Sequence, residues 1–184
     1  MPRNGGGPRG PMRPVAAAVG RATAVITACL LMLPLAAPAT AGAVAGAREG
    51  HGVIRARALR HVVERTNGAR RTVHCPAVRQ DARLDRAARQ HAAYLARTGR
   101  LTHQGAGGTT TGQRARRNGY RWTAVGEAIA QGYPDAAAVV DAWMSSPPHR
   151  HLLVTCGYRD TGVGVAQRNG RTWWVQVLAT PAGA

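Results

Sequence analysis

The chain is 184 residues long with a formal net charge of +17, and all 25 of its basic residues are arginine. That is one domain's worth of chain with some to spare. The basic balance attracts polyanions such as cell-wall polymers, anionic headgroups or nucleic acid. No basic run is interleaved with aromatics and no nucleic-acid module is present, so a solvated basic surface is the plainer reading.

The surplus lies at the start. Arg3, Arg9, Arg13 and Arg21 form a basic head, residues 22–37 are apolar and uncharged, and Ala39-Thr40-Ala41 supplies small residues where a signal peptidase cuts. Residues 1–41 therefore read as a secretory signal peptide, and no other stretch approaches a spanning length. The mature protein is expected to be secreted, extracellular or associated with the cell wall. Ile26-Thr27-Ala28-Cys29 is a weak rival lipoprotein box, disfavoured because the chain stays apolar after the cysteine. Removing Cys29 leaves Cys75 and Cys156. An even pair in an oxidising compartment reads as one disulfide, with two free thiols the alternative. Loop-entropy arithmetic puts such a bridge at ~4–5 kcal/mol.

Residues 42–52 are small and read as a flexible linker, with the domain proper over 53–180. Val53 to Asn67 carries a four-residue apolar repeat and predicts a helix ended by Asn67-Gly68. Asp81 to Thr98 is the clearest helix. Asp81 caps it, Leu84, Ala88, His91 or Ala92, and Leu95 form an apolar stripe, and Gly99 stops it. His91 beside that stripe reads as a buried packing residue with one hydrogen bond. The glycine- and threonine-rich stretch 104–112 predicts a mobile loop, and 113–118 a short helix closed by Gly119.

Residues 125–131 predict a buried strand, with Glu127 alone in an apolar run. A carboxylate there costs on the order of 2–5 kcal/mol unless something pairs with it. Pro134 begins a helix that continues to Met144 and is stopped by Ser145-Ser146-Pro147-Pro148. Residues 163–168 and 171–178 flank Asn169-Gly170, a strong hairpin signal. Counting from the turn sets Val165 opposite Trp174 and Val163 opposite Gln176. Trp173, Val175 and Val177 then face the other side, and the hairpin is expected to be covered on both faces. The order predicts an α+β domain with a small antiparallel sheet between helical layers.

Between Thr66 and Thr180 the chain resembles the CAP superfamily of cysteine-rich secretory proteins, venom antigens and pathogenesis-related proteins, in its bacterial secreted branch. The matching residues are Asn67 with Arg70; Cys75-Pro76; Leu84, Ala88, His91 and Ala92; Leu101 with His103; Arg114 with Gly119-Tyr120; Gly126-Glu127 and Ile129-Ala130. They continue through Val140, Ala142-Trp143-Met144, Ser146-Pro147, His149-Arg150, Gly162-Val163-Gly164-Val165, and Trp174 with Gln176. The resemblance implies a three-layer α-β-α sandwich around a central antiparallel sheet. It also implies a cleft that eukaryotic relatives line with two histidines and two acidic residues able to hold a divalent metal. Here the first histidine matches His103 and the first acid Glu127. The second acid falls near Ser146 and the second histidine on Trp173, so two of the four are absent. Ala128, Val175 and Val177 also depart from the family pattern.

The candidate cleft is therefore His103, Glu127, Ser146, His149 and Trp173. Two imidazoles and a carboxylate, His103, His149 and Glu127, are the candidate ligands for Zn²⁺ or another divalent metal. Such binding would weaken as pH falls through about 6.5. The competing arrangement, preferred because the ligand set is incomplete, is a hydrogen-bonded cluster holding the layers together. No glycine elbow surrounds Ser145 or Ser146, and no Cys–His pair survives a disulfide. Asp135 and Asp141 sit on a helix surface and are poor second carboxylates for glycoside hydrolysis. The leading function is a secreted binding module taking a lipid-like or cell-wall ligand. A metal-dependent hydrolase of peptide or cell wall and a structural wall protein held by its arginine surface are the alternatives.

Overall fold

The computed structural model describes residues 42–183, with side chains from residue 56 onward. The signal peptide and the Cys29 alternative lie outside the described residues. The elements are α1 (Gly42–Arg71), β1 (Arg79–Gln80), α2 (Ala82–Thr98), α3 (Thr111–Arg117), β2 (Trp122–Gln131), α4 (Ala136–Ser145), α5 (Pro147–Leu153), β3 (Asp160–Arg168) and β4 (Arg171–Pro181).

The strands form one sheet in the order β1-β3-β4-β2. Helices cover both faces, which makes a three-layer α-β-α sandwich. On one face α2 and α3 pack Leu84, Ala88, Ala92, Leu95 and Ala115 against Ile129, Trp173, Val175 and Val177. On the other, α1, α4 and α5 pack Val62, Val139, Val140, Trp143 and Leu153 against Ala128, Ala130, Val163 and Trp174. The period-2 alternation of strand side chains divides β4 between these two cores. The hairpin has the predicted register, Val165 opposite Trp174 and Val163 opposite Gln176. β1 adds a two-residue pairing with β3 that is parallel.

α2 follows its sequence signals closely. Asp81 accepts from the backbone N–H groups of Arg83 and Leu84, and Gly99 ends the helix in the left-handed region at φ 69°. The helix lies almost on the backbone of β3. A Cβ at Gly164 would come within 2.3 Å of the Ala88 backbone, and one at Gly162 within 2.1 Å of the Leu84 carbonyl carbon. Only glycine permits that approach.

Three elements differ from the sequence expectation. α1 begins at Gly42, inside the stretch read as a linker, and passes Asn67-Gly68 to end at Arg71. At the far end, tertiary bonds outweigh the break signal. Asn67 holds both the N–H and the C=O of Val78, and buried Arg70 donates to the carbonyls of Pro76, Leu153, Thr155 and Tyr158. α4 starts at Ala136 with Asp135, not Pro134, at its N-terminus, where Asp135 accepts from the Ala138 N–H. Finally, Pro147-Pro148 ends α4 but also opens α5, since proline fits a first helical turn.

Cys75 and Cys156 are joined, closing a separation of 81 residues. A buried polar tie crosses the layers as well. Gln176 bonds Thr66 of α1 and Thr161 of β3. Among the described residues, no helix is long and apolar enough to cross a membrane.

Candidate functional site

β2 is an edge strand, and the alternation along it turns Glu127 and Ile129 toward the α2–α3 layer. Glu127 therefore points into a nearly closed space, its side chain 2% exposed. Three cationic or proton-donating groups meet it there. His103 Nδ1, from the loop after α2, lies 2.9 Å from Oε1. Arg114 Nη2, from α3, lies 2.6 Å from Oε2. His91 Nε2, from α2, lies 3.7 Å from Oε1. Burial pushes the Glu127 carboxyl up, but the His103 hydrogen bond and the Arg114 and His91 charges outweigh burial and leave it below its ordinary 4.5.

α3 exists to aim Arg114. Thr110 and Gln113 form a reciprocal capping box at its start, and the Trp122 indole N–H donates to the Gly112 carbonyl. Arg114 then spends its donors inward. Nη1 reaches the carbonyls of His103 and Thr109, and Nη2 reaches the Thr111 hydroxyl as well as Glu127. The loop read as mobile is thus pinned near both ends by one guanidinium. Gly105 N–H also donates to Thr109 O across it.

An ionised Glu127 can only accept, so Nδ1 of His103 carries a proton toward it. The imidazole is 58% exposed. His91 is buried, as read, with Nε2 bonded to the Thr102 carbonyl at 2.9 Å. Its Nδ1 is buried without a partner. Burial lowers its pKa below the ordinary 6.5 against the pull of Glu127.

The predicted cleft residues separate into two groups. His103 and Glu127 are in contact. His149 instead bonds Ser146, its Nδ1 2.9 Å from the hydroxyl. Its pKa is lowered by burial and then by the charge of His103. Trp173 is 4% exposed in the α2-side core, its indole N–H unpartnered.

The residues present do not fit a divalent metal. Among the described residues, no group of three or more His, Cys, Asp or Glu side chains is placed to hold one, so the triad His103, Glu127 and His149 is not assembled. The physical reason is Arg114. Its guanidinium occupies Oε2 and His103 Nδ1 engages Oε1, so the carboxylate is taken up by groups of the protein itself. Sequence reasoning noted Arg114 only through the resemblance. The usable signal was the buried acid itself, which requires a cation, and arginine is the side chain that stays charged when buried.

Beside this cluster, Tyr94, Arg100, Leu101, Thr102, Gln104 and Gly105 line a groove of about 450 Å³. Leu101 stands 49% exposed on it. A second groove of about 430 Å³ lies between α1 and α4, bordered by the Arg65–Asp141 ion pair at 2.5 Å.

The cysteine-rich secretory protein family, CAP, matches residues 63–178. No curated protein matches the sequence. The fold is similar to that of an extracellular Bacillus anthracis protein containing an SCP domain, with 23% identity and a TM-score of 0.65 over 69% of this chain and 41% of that one. An outer surface protein of Borrelia burgdorferi matches at 21% identity and TM-score 0.61 over 65% of this chain and 90% of that one. A cysteine-rich secretory protein of Staphylococcus aureus matches at 18% identity and TM-score 0.55 over 68% of this chain and 39% of that one. The chain therefore spans well under half the length of the Bacillus and Staphylococcus proteins.

Proposed function

Because the chain belongs to the cysteine-rich secretory protein (CAP) family, we propose that it is a secreted binding module, with the groove beside His103 taking a lipid-like or cell-wall ligand. The supporting observation is the saturation of Glu127. Both carboxylate oxygens are engaged by groups of the protein itself, so the acid braces the groove wall and is not free to act on a ligand. What faces outward is mixed. Leu101 and Tyr94 offer apolar surface and Arg100 a charge, and the exposed His103 lies in sequence between the lining residues Thr102 and Gln104. A ligand with an apolar or ring-shaped body and an anionic end matches that lining.

The test uses two probes, a fluorescent long-chain fatty acid and a soluble muropeptide. Saturable binding of either one, lost in Leu101→Asp while the melting curve stays intact, is the expected result. Equal binding by wild type and Leu101→Asp would remove the groove from the proposal.

A hydrolase is the second reading, favoured by one observation. His103, an exposed imidazole, is paired through Nδ1 with a buried carboxylate, the arrangement of a histidine oriented for acid–base work. Muropeptide cleavage lost in His103→Ala, with folding retained, would select this reading.

A further inference from the structure

Among the described side chains, the two helical layers carry similar numbers of arginines but differ in the acids set against them. On the α2–α3 layer, Arg83, Arg86, Arg97, Arg116 and Arg117 are exposed and Arg89 is half-buried. The acids of these helices and their caps are Asp81 and Asp85, and both are already engaged. Asp81 caps α2 and pairs with Arg83 at 2.7 Å. Asp85 accepts from Gln80 and from the Val163 N–H. The opposite layer sets Arg57, Arg60, Arg65, Arg71 and Arg150 against Glu64, Asp135 and Asp141.

The two helices form one continuous strip. Arg86 donates to the Asn118 carbonyl, and the Asn118 amide donates to Gln90, which joins the end of α3 to the middle of α2. From Arg83 to Arg97 the strip runs about 20 Å along the helix axis. That length exceeds a single phosphate and suits a chain of them. Arginine presents a fork of donors matched to phosphate oxygens. Arginines stack on the rings of this side. Arg97 lies over Tyr94 at 5.6 Å and Arg116 over Trp122 at 4.6 Å. An unpaired base stacking there would have to displace a cation–π contact that is already made.

We propose that the α2–α3 face is a docking surface for a linear phosphodiester polymer without bases. It adjoins the groove beside His103, since Arg97 stacks on Tyr94 of that lining, but it does not depend on that groove's ligand. Binding follows the release of counterions, so it weakens steeply with salt.

The test compares two triple variants with the same loss of charge. One carries Arg86→Gln, Arg97→Gln and Arg117→Gln on the proposed face. The other carries Arg60→Gln, Arg71→Gln and Arg150→Gln on the opposite layer. All six positions are exposed, and melting curves verify that both variants fold. The probe is synthetic poly(glycerol phosphate), titrated against the whole chain at several salt concentrations. The first variant should bind about tenfold or more weakly and show a shallower salt slope. The second should stay close to wild type. Equal weakening by both variants would show attraction by net charge alone and overturn the proposal. So would tighter wild-type binding to single-stranded DNA or to phosphatidylglycerol vesicles at matched phosphate concentration.

Discussion

Arg114 and Glu127 meet at 2.6 Å with side chains only 7% and 2% exposed, so each is the condition for burying the other. Removing one partner of such a pair strands the other charge in a low-dielectric setting. Arg114→Met is expected to destabilise the fold by about 3–5 kcal/mol in urea unfolding. Adding Glu127→Gln to it should recover part of that loss, because the second change removes the stranded charge. A cost of Arg114→Met under about 1 kcal/mol would place the pair in the class of solvated surface bridges.

Acid should act in two separate windows. The unfolded chain takes up a proton at His91 as pH falls through the ordinary 6.5, while burial makes the folded ring resist it. Stability therefore declines from about 6.5 downward, until the lower folded pKa is reached. Glu127 contributes in a second window. Its folded pKa is depressed, so its stabilisation is present above 4.5 and is lost as pH falls through the folded value. Thermal melts from about pH 7 to pH 5 should show a slope that His91→Gln flattens and Glu127→Gln does not. An unchanged slope in His91→Gln would mean that other groups carry the upper window.

Zinc should not stabilise this protein through the Glu127 cluster. Arg114 already supplies the positive charge at Oε2, and His103 offers a proton to Oε1. The melting temperature of protein made without a histidine tag is expected to be unchanged by equimolar Zn²⁺. A rise that disappears in His103→Ala would contradict the assignment of Arg114 as the resident cation.

Loss of the Cys75–Cys156 bridge is expected to be costly. It closes 81 residues, and chain-entropy arithmetic gives about 4–5 kcal/mol for a loop of that length. The double Cys75→Ala, Cys156→Ala variant, followed in urea, measures this. Arg70 holds the same corner through four backbone carbonyls, so the local fold should survive while the global midpoint falls.

Gly164→Ala probes the contact between α2 and β3. The added methyl would meet the Ala88 backbone at 2.3 Å, and backbone cannot swing aside as a side chain can. The change is expected to cost about 1–3 kcal/mol or more. A neutral substitution would mean that α2 can lift from the sheet.

Elements written in local chemistry were legible in the chain. The Asp81 cap, the Gly99 stop, the four-residue stripe of α2 and the Asn-Gly turn each act within a few residues, and each produced the element it specifies. The hairpin register followed from the turn, because a period of two allows one pairing once the turn is set. Glu127 was likewise conspicuous, since an acid in an apolar strand demands a partner. The partner's identity was a different kind of fact. Arg114 reaches Glu127 only because α3 folds over the edge of β2, and His149 misses it because α5 turns that ring toward Ser146. Local signals also lost where distant groups competed with them. Asn67-Gly68 did not end α1, because Val78 and four distant carbonyls hold the chain in helix there. The sequence by itself determined the locally signalled elements and the need of Glu127 for a partner. Only the tertiary structure decided which partner, because that choice rests on distances between segments whose order along the chain does not encode their approach.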